Sequence, residues 1–562
     1  MNRKTFNPID ILSIVLIFSI FYFVFIGSKN YSQVAVQQKG IILSAKYLPL
    51  YSFYSILRVF IAFILSFIFA IVYGYLAYKN KTLEIILVPL LDVLQSIPVL
   101  SFLPPVFFFM FSVFNGSRVG LELASIILIF TGQVWNLIFS FYNSLKTIPR
   151  ELDECAKINK LNFWQRFTIL DLPHASISLI WNSMMSVAGG WFFLMACENF
   201  SIINQNYTLP GLGSFLAKAS EEGKLSLMFL GLGTLILIII LIDQLIWRPL
   251  IAWSTKFKLE EKGEEEIKSV VLDWYQKSNI INFISKTFVS PFDKMMIKIF
   301  SKRKNSNENF TIEVIKKIAS YVIFGLLFLL ILRGFEGLIK LISSVSFEDW
   351  ILIVKSGFYT FIRVILAVAI GYMWTIPVGV KIGINPKVSK YAQPIVQILA
   401  SIPATAIFPI ILLFFLNFKG GLNISSIILM ALGTQWYLLF NVIGGANQIP
   451  KDLIEVSKIF DVKGKKWWSI LAIPAIFPSL ITGGITAWGG AWNSSIVSEY
   501  VNFGGKVYQI TGLGALISSA TESGNTSLLA SSTLFMAIIV VLFNRLFWRK
   551  MYNLSEEKYH LE

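Results

Sequence analysis

Few residues in this chain are equipped for catalysis. Its two histidines, His174 and His560, lie far apart, no Cys/His cluster has metal-ligand spacing, and no Gly-x-x-x-x-Gly-Lys-[Ser/Thr] phosphate loop occurs. His174 directly follows Pro173, where a structural or solvated role is expected. Candidate nucleophile–base pairs are also missing. The remaining polar chemistry sits inside apolar runs: Gln95, Ser96, Gln133, Trp135, Asn136, Asn182 and Trp191, then Gln435, Trp436, Asn441, Trp492 and Asn493. Amide and indole N–H groups donate to oxyanions without a buried positive charge. As a set they read as a polar passage; singly, each also fits interhelical hydrogen bonding that holds a bundle together.

The elements that carry these residues are membrane spans. Of 562 residues, 55% are hydrophobic and 14% charged, a balance typical of polytopic membrane proteins. The net charge of +16 comes without a basic, aromatic-interleaved module, so nucleic acid is not an expected partner. Two cysteines, Cys155 and Cys197, imply no disulfide framework. A helix needs about 20 apolar residues to cross a bilayer. The first set of candidate spans is Ile9–Ile26, Tyr54–Tyr78, Ile85–Phe111, Leu123–Tyr142, Ala175–Cys197 and Leu225–Trp247. The second is Ile318–Leu332, Tyr359–Val380, Val388–Leu416, Ile424–Ile443, Ala475–Val497 and Ser527–Phe547. The first run lacks a small-residue cleavage site and reads as an uncleaved span.

The second set repeats the first. Arg58 maps to Arg363 and Pro98 to Pro403 at an offset of 305; Pro173 to Pro474, Glu198 to Glu499 and Trp247-Arg248 to Trp548-Arg549 at 301. The expectation is an all-α polytopic protein of about twelve transmembrane helices, a parallel tandem repeat of six. It divides into halves at 1–254 and 313–562, joined by a linker at 255–312. The linker reads as a tether, and its apolar residues between Val270 and Ile284 also fit a helix on the membrane surface. Arg3, Lys4, Lys79, Lys81, Arg150, Lys157, Arg166 and Arg248 fall on one side, which the positive-inside rule makes the cytoplasm, with both termini there.

Two polar islands, Pro149–Pro173 and Pro450–Pro474, belong on that side. Each opens with a proline and early acids, suited to a helix start. Leu152, Cys155, Ala156 and Asn159 share one face, and Leu453, Val456, Ser457 and Phe460 the matching one. A short amphipathic helix repeated at a water interface looks like a docking element. On the opposite side, Arg58 near the start of the second span and Glu198 at the end of the fifth lie at similar depth, as do Arg363 and Glu499. An unpaired charge in a span costs about 2.5–3.5 kcal/mol at the centre, so an ion pair within each half is expected. The alternative is that the arginines meet an arriving anion.

The islands resemble the signature of binding-protein-dependent ABC importer permeases: Glu-Ala-Ala, three residues, Gly, nine residues, Ile, one residue, Leu-Pro. Glu154-Cys155-Ala156 and Glu455-Val456-Ser457 each stand 19 residues before the closing proline, as in that family. Lys160 and Asp461 replace the signature glycine. Gly189-Gly190-Trp191, Glu198 and Gly211-Leu212-Gly213, with their second-half counterparts, resemble the nitrate, sulfonate, taurine and bicarbonate branch. The resemblance implies a type I importer fold in an inner or plasma membrane, with Leu152, Glu154, Cys155, Ala156, Leu453, Glu455, Val456 and Ser457 on coupling helices seated in ATPase subunits. It implies two ATPase copies carrying ATP and Mg, no cofactor on this chain, and an extracytoplasmic binding protein that delivers a small anion. A non-anionic cargo and a twelve-span secondary transporter are the competing readings. The second expects a basic Gly…Asp-Arg…Arg loop where this chain has Tyr78-Lys79-Asn80-Lys81. A membrane-embedded enzyme lacks catalytic groups.

Overall fold

The computed structural model describes residues 40–96, 98–202, 205–257, 290–301 and 335–558, with a few positions between 269 and 333. The expected span Ile9–Ile26, most of Ile318–Leu332 and most of the linker lie outside the described residues.

The first half runs α1 (Leu48–Lys79), α2 (Lys81–Ser96), α3 (Leu103–Val113), α4 (Arg118–Lys146), α5 (Arg150–Ile158) and α6 (Leu172–Glu198). A hairpin of β1 (Asn199–Ile202) and β2 (Gln205–Thr208) follows, then α7 (Leu212–Glu221) and α8 (Leu225–Ile242). In the linker, α9 spans Ser290–Ser301. The second half repeats the order: α10 (Phe347–Ile384), α11 (Pro386–Ser401), α12 (Ala404–Phe415), α13 (Gly421–Asn447), α14 (Lys451–Ile459), α15 (Ile473–Ser498), β3 (Tyr500–Phe503), β4 (Lys506–Gln509), α16 (Leu513–Ser523) and α17 (Thr526–Phe543). Among the described residues, eight helices are long and apolar enough to cross a membrane, nine if one bent pair counts as a single span.

The bent pair corrects an expectation. The third span of each half is not continuous: α2 stops at Ser96 and α3 starts at Leu103, while α11 and α12 meet at 79°. Proline has no N–H to give the preceding turn, and it pushes its predecessor out of the α region. Pro98 and Pro403 have extended backbones, as does Ile402, so each helix ends and a new one begins beyond. Lipid gives helices no hydrophobic reason to associate, so close backbone approach has to do it. Between α10 and α13, a Cβ on Gly379 or Gly383 would come within 2.6 Å of Val442 or 2.5 Å of Ala446.

The halves share one apolar core: Trp191, Phe193 and Leu194 of α6 pack in the same cluster as Trp488 and Trp492 of α15 and Met536 of α17. They also meet through the second hairpin. The Gly504 N–H donates to the Ser220 carbonyl at 3.1 Å, and Val501 and Phe503 pack with Ala219 and Met228. The short helices α5 and α14 precede α6 and α15, and the hairpins follow them. The two features therefore occupy opposite ends of the spans.

Candidate functional site

At one end, α5 and α14 are displayed by local backbone chemistry. Pro149 and Pro450 stand one residue before each helix, and Glu151, Asp153 and Asp452 lie in the first turns, where the helix dipole favours acids. Each helix ends in a paired C-terminal cap. The Leu161 N–H reaches the Ala156 carbonyl (3.2 Å) and the Lys160 N–H the Lys157 carbonyl (3.0 Å). In α14, Val462 bonds to Ser457 (2.8 Å) and Asp461 to Lys458 (3.1 Å). This cap needs a left-handed residue, and Lys160 and Asp461 supply it at φ 49° and 50°. The turn is therefore built without the glycines, at a cost of roughly 1–2 kcal/mol for a residue with a Cβ.

The exposed face differs from the expected one. Glu154, Cys155, Leu453, Glu455 and Val456 are exposed and Leu152 is half-buried, but Ala156 and Ser457 are turned inward and buried against their own chain. Their small size suits close packing beneath the helix, while Ile158, Ile459 and Phe460 project beyond it, each more than three-quarters exposed. Beside α5, linker helix α9 packs on the same first-half segment: Asp293 accepts from the Trp164 indole at 2.7 Å, and Phe300 lies against Phe163.

At the other end, the expected charge pairs form within larger networks. Arg58 donates to Glu198 at 2.6 Å and, through Nε and Nη2, to both oxygens of Glu122 at 2.6 and 2.8 Å. Glu198 is fully buried and also accepts from the Ser55 hydroxyl and the Gly213 N–H, both at 2.7 Å. The Leu212 N–H donates in turn to Ser55 at 2.9 Å. Gly211 has to lack a side chain, because a Cβ there would sit 2.2 Å from the Glu198 carboxylate. The second half repeats this wiring. Glu499 accepts from Arg363 (2.7 Å), Thr360 (2.8 Å) and the Gly514 N–H (2.8 Å). There Arg363 meets the neutral Asn423, at 2.8 and 3.2 Å, in place of Glu122. Arg58 thus meets two acids, one of which, Glu122, also pairs with the exposed Arg118 at 3.7 Å, whereas Arg363 meets a single acid.

Between the two ends, the broken third spans of each half reach the other half. The Leu100 N–H points to Asn493 Oδ1 at 3.4 Å, and Ser401 helps line a small cavity with Trp191, Met184, Val187, Asp243 and Trp247. Nearby, the glycine face of α6 approaches α13: a Cβ on Gly189 would lie 3.7 Å from the Tyr437 hydroxyl. Among the described residues, the fully buried Gln133 has neither amide atom bonded, and the indole N–H groups of Trp135 and Trp492 have no protein partner. Gln95 and Asn136 are half-buried, and Ser96 closes α2. The expected polar set is thus only partly gathered. Gln435 already accepts from Trp374 at 3.1 Å, Trp436 packs edge-on to Trp374, and Trp135 belongs to an apolar cluster with Phe63 and Leu91.

Residues 66–246 and 367–554, well over half the chain, match the family described as binding-protein-dependent transport system inner membrane component. The chain belongs to this family. It carries two copies of the domain, and as a transport permease component it is not an enzyme. Similar proteins include a permease of Bacillus subtilis named for aliphatic sulfonates transport, 27% identical over 33% of this chain and 65% of its own length. A nitrate import permease of Synechococcus elongatus is 30% identical over 31% of this chain and 60% of its own. A bicarbonate transport system permease of Synechocystis is 29% identical over 30% and 58%. The matched stretch thus spans less than two thirds of each of these relatives.

Several residues of the permease's networks escape a reading of the sequence. Glu122 and Asn423, the second partners of the arginines, stand 301 residues apart, and Ser55 and Thr360 stand 305 apart. The repeat that aligned the arginines was the signal available for both pairs. Tyr437 has no such marker, because its counterpart at offset 301 is Asn136.

Proposed function

We propose that this chain supplies both transmembrane halves of an ATP-driven importer for a small oxyanion of the nitrate, bicarbonate or sulfonate class. ATP is hydrolysed by two ATPase copies on separate chains, which dock on α5 and α14 at the cytoplasmic face. Both termini lie on that face, about twelve spans cross the inner or plasma membrane, and an external binding protein delivers cargo at the hairpin end. The observation that carries this reading is the family match, present twice, together with two capped helices that project exposed residues at the same end of each half. The relatives named for sulfonates, nitrate and bicarbonate all handle anions, which favours that cargo class.

The passage runs along the seam of α6, α13 and α15, past Trp191, Tyr437, Trp492 and Asn493. Conduction needs contacts strong enough to admit an ion and weak enough to release it, which neutral N–H donors provide. Arg58 and Arg363 are committed to buried carboxylates, so they act as braces and not as ligands for cargo. Isolation of the complex in mild detergent, followed by titration of its binding protein with nitrate, bicarbonate and taurine, tests the cargo. Saturable binding of at least one of them is expected. Tight binding of an amino acid or a metal chelate, with no response to these anions, contradicts it.

A further inference from the structure

The two halves hold their docking helices by different chemistry. In the first half, Asp153 of α5 bonds to Arg166 at 2.6 Å, and Arg166 reaches the fully buried Asp171 at 3.3 Å. Asp171 in turn accepts from the Tyr75 hydroxyl of α1 at 2.9 Å, and the Lys79 ammonium lies 5.5 Å from the Tyr75 ring. Offsets of 305 for α1 and 301 beyond it put Val380, Ile384, Ile454, Trp467 and Ala472 at the corresponding places. Every polar member has an apolar counterpart, and all five counterparts belong to one hydrophobic cluster. The backbone is the same on both sides. A π-helical turn, Phe167–Asp171 in one half and Trp468–Ala472 in the other, links each docking region to its long span. The exchange of a polar chain for an apolar cluster is therefore complete at matched positions of matched elements.

We infer that Arg166, Asp171 and Tyr75 are positioning residues that tie the first docking helix to α1 and α6 by a directional polar chain, while among the described residues the second docking helix is tied at the matching places by packing alone. A buried ionic chain fails when one partner is removed, because the others are left uncompensated, whereas an apolar cluster degrades gradually. The first helix therefore follows its span rigidly and is sensitive to single polar substitutions, and the second is not. The inference rests on the reading of α5 and α14 as ATPase-docking helices only for its effect on transport; the anchorage stands or falls separately.

The native cysteines provide the probe. Cys155 is exposed on α5 and Cys197 is buried, so a nitroxide added to the purified full chain in nanodiscs reports on α5. Arg166→Gln and Asp171→Asn are expected to raise the mobility of the Cys155 label. Arg166→Lys, which keeps the charge but not the fork, should have an intermediate effect. A label at Val456→Cys in a Cys155→Ser background should be unmoved by the same changes, which also verifies that the variants fold. ATP-driven uptake in the complex is expected to fall at least about tenfold in Arg166→Gln, because the fully buried Asp171 is left without its cation, with partial rescue in Arg166→Lys. An unchanged Cys155 spectrum in folded Arg166→Gln, Arg166→Lys and Asp171→Asn overturns the inference whatever the uptake. Increased mobility with undiminished uptake supports the anchorage and contradicts the docking role of α5.

Discussion

Arg58 and Arg363 show how a single internal difference can be used as a control. Each is buried and tied to a fully buried glutamate, but only Arg58 has a second acid, Glu122. Loss of one member of a buried ion pair costs about 3–5 kcal/mol, so Arg58→Ala and Arg363→Ala should both sharply lower resistance to denaturant in detergent. Glu122→Gln should cost less than about 1 kcal/mol, because Asn423 shows that a neutral amide serves at that place. Equal losses for all three would contradict the wiring. Exchange of Arg58 with Glu198 should not rescue function. A glutamate at 58 would face Glu122, and an arginine at 198 would confront the N–H of Gly213 with no room beside Gly211. Lys160 carries a separate prediction. Its left-handed backbone costs roughly 1–2 kcal/mol, so Lys160→Gly should stabilise the cap of α5 by about 1 kcal/mol. Asp461→Gly should gain less, because aspartate tolerates that region better. Thermal unfolding of the two variants should rank them in that order, and a loss of stability in Lys160→Gly would refute the strain argument.

Among the elements, those governed by local pattern were legible and those governed by partners were not. The second, fourth, fifth and sixth expected spans of each half fall on long helices, and the prolines at 149 and 450 mark the starts of α5 and α14, because span length and helix entry are local properties. By hydropathy the third spans read as continuous, since hydropathy does not register the break that Pro98 and Pro403 impose. The inward turn of Ala156 and Ser457 is not legible, because a helical stripe says which residues share a face but not which face the neighbouring helices cover. The Asp171–Tyr75 contact joins α1 to the start of α6, 96 residues apart, and no spacing rule connects them. A pH dependence follows for α5 alone. Hydrogen bonds from Lys157, and then from Arg166, hold the Asp153 carboxylate below its usual range. A depressed folded-state pKa gives stability that is present above the unfolded value of about 3.9 and lost as pH falls through the lower, folded one. The Cys155 label should therefore loosen below about pH 4, whereas a Val456→Cys label above Ile454 should not. A parallel loosening of both would remove Asp153 as the cause.

For the molecule as a whole, the tandem repeat yields two halves with the same path and different interiors. At one end α14 and its cap offer the more apolar exposed surface, with Leu453, Val456, Ile459 and Phe460 against Cys155, Ile158 and Asn159 at α5 and its cap. At the other end the halves are joined by the Gly504–Ser220 bond and the apolar contacts around it. If that joint has to open for cargo to enter, a disulfide between Ser220→Cys and Gly504→Cys should stop uptake under oxidising conditions, and a reductant should restore it. Undiminished uptake by the crosslinked protein would show that the hairpin end need not part. The central claim is that α5 and α14 carry ATP-driven motion from separate ATPase chains into this permease. It is tested most directly by ATP-dependent uptake of labelled nitrate, bicarbonate and taurine into liposomes holding the intact complex and its binding protein, with Glu154→Arg and Glu455→Arg combined. The expected result is uptake of at least one anion by the native complex and its loss in the double variant, with the chain still correctly inserted; undiminished uptake by that variant would contradict the account.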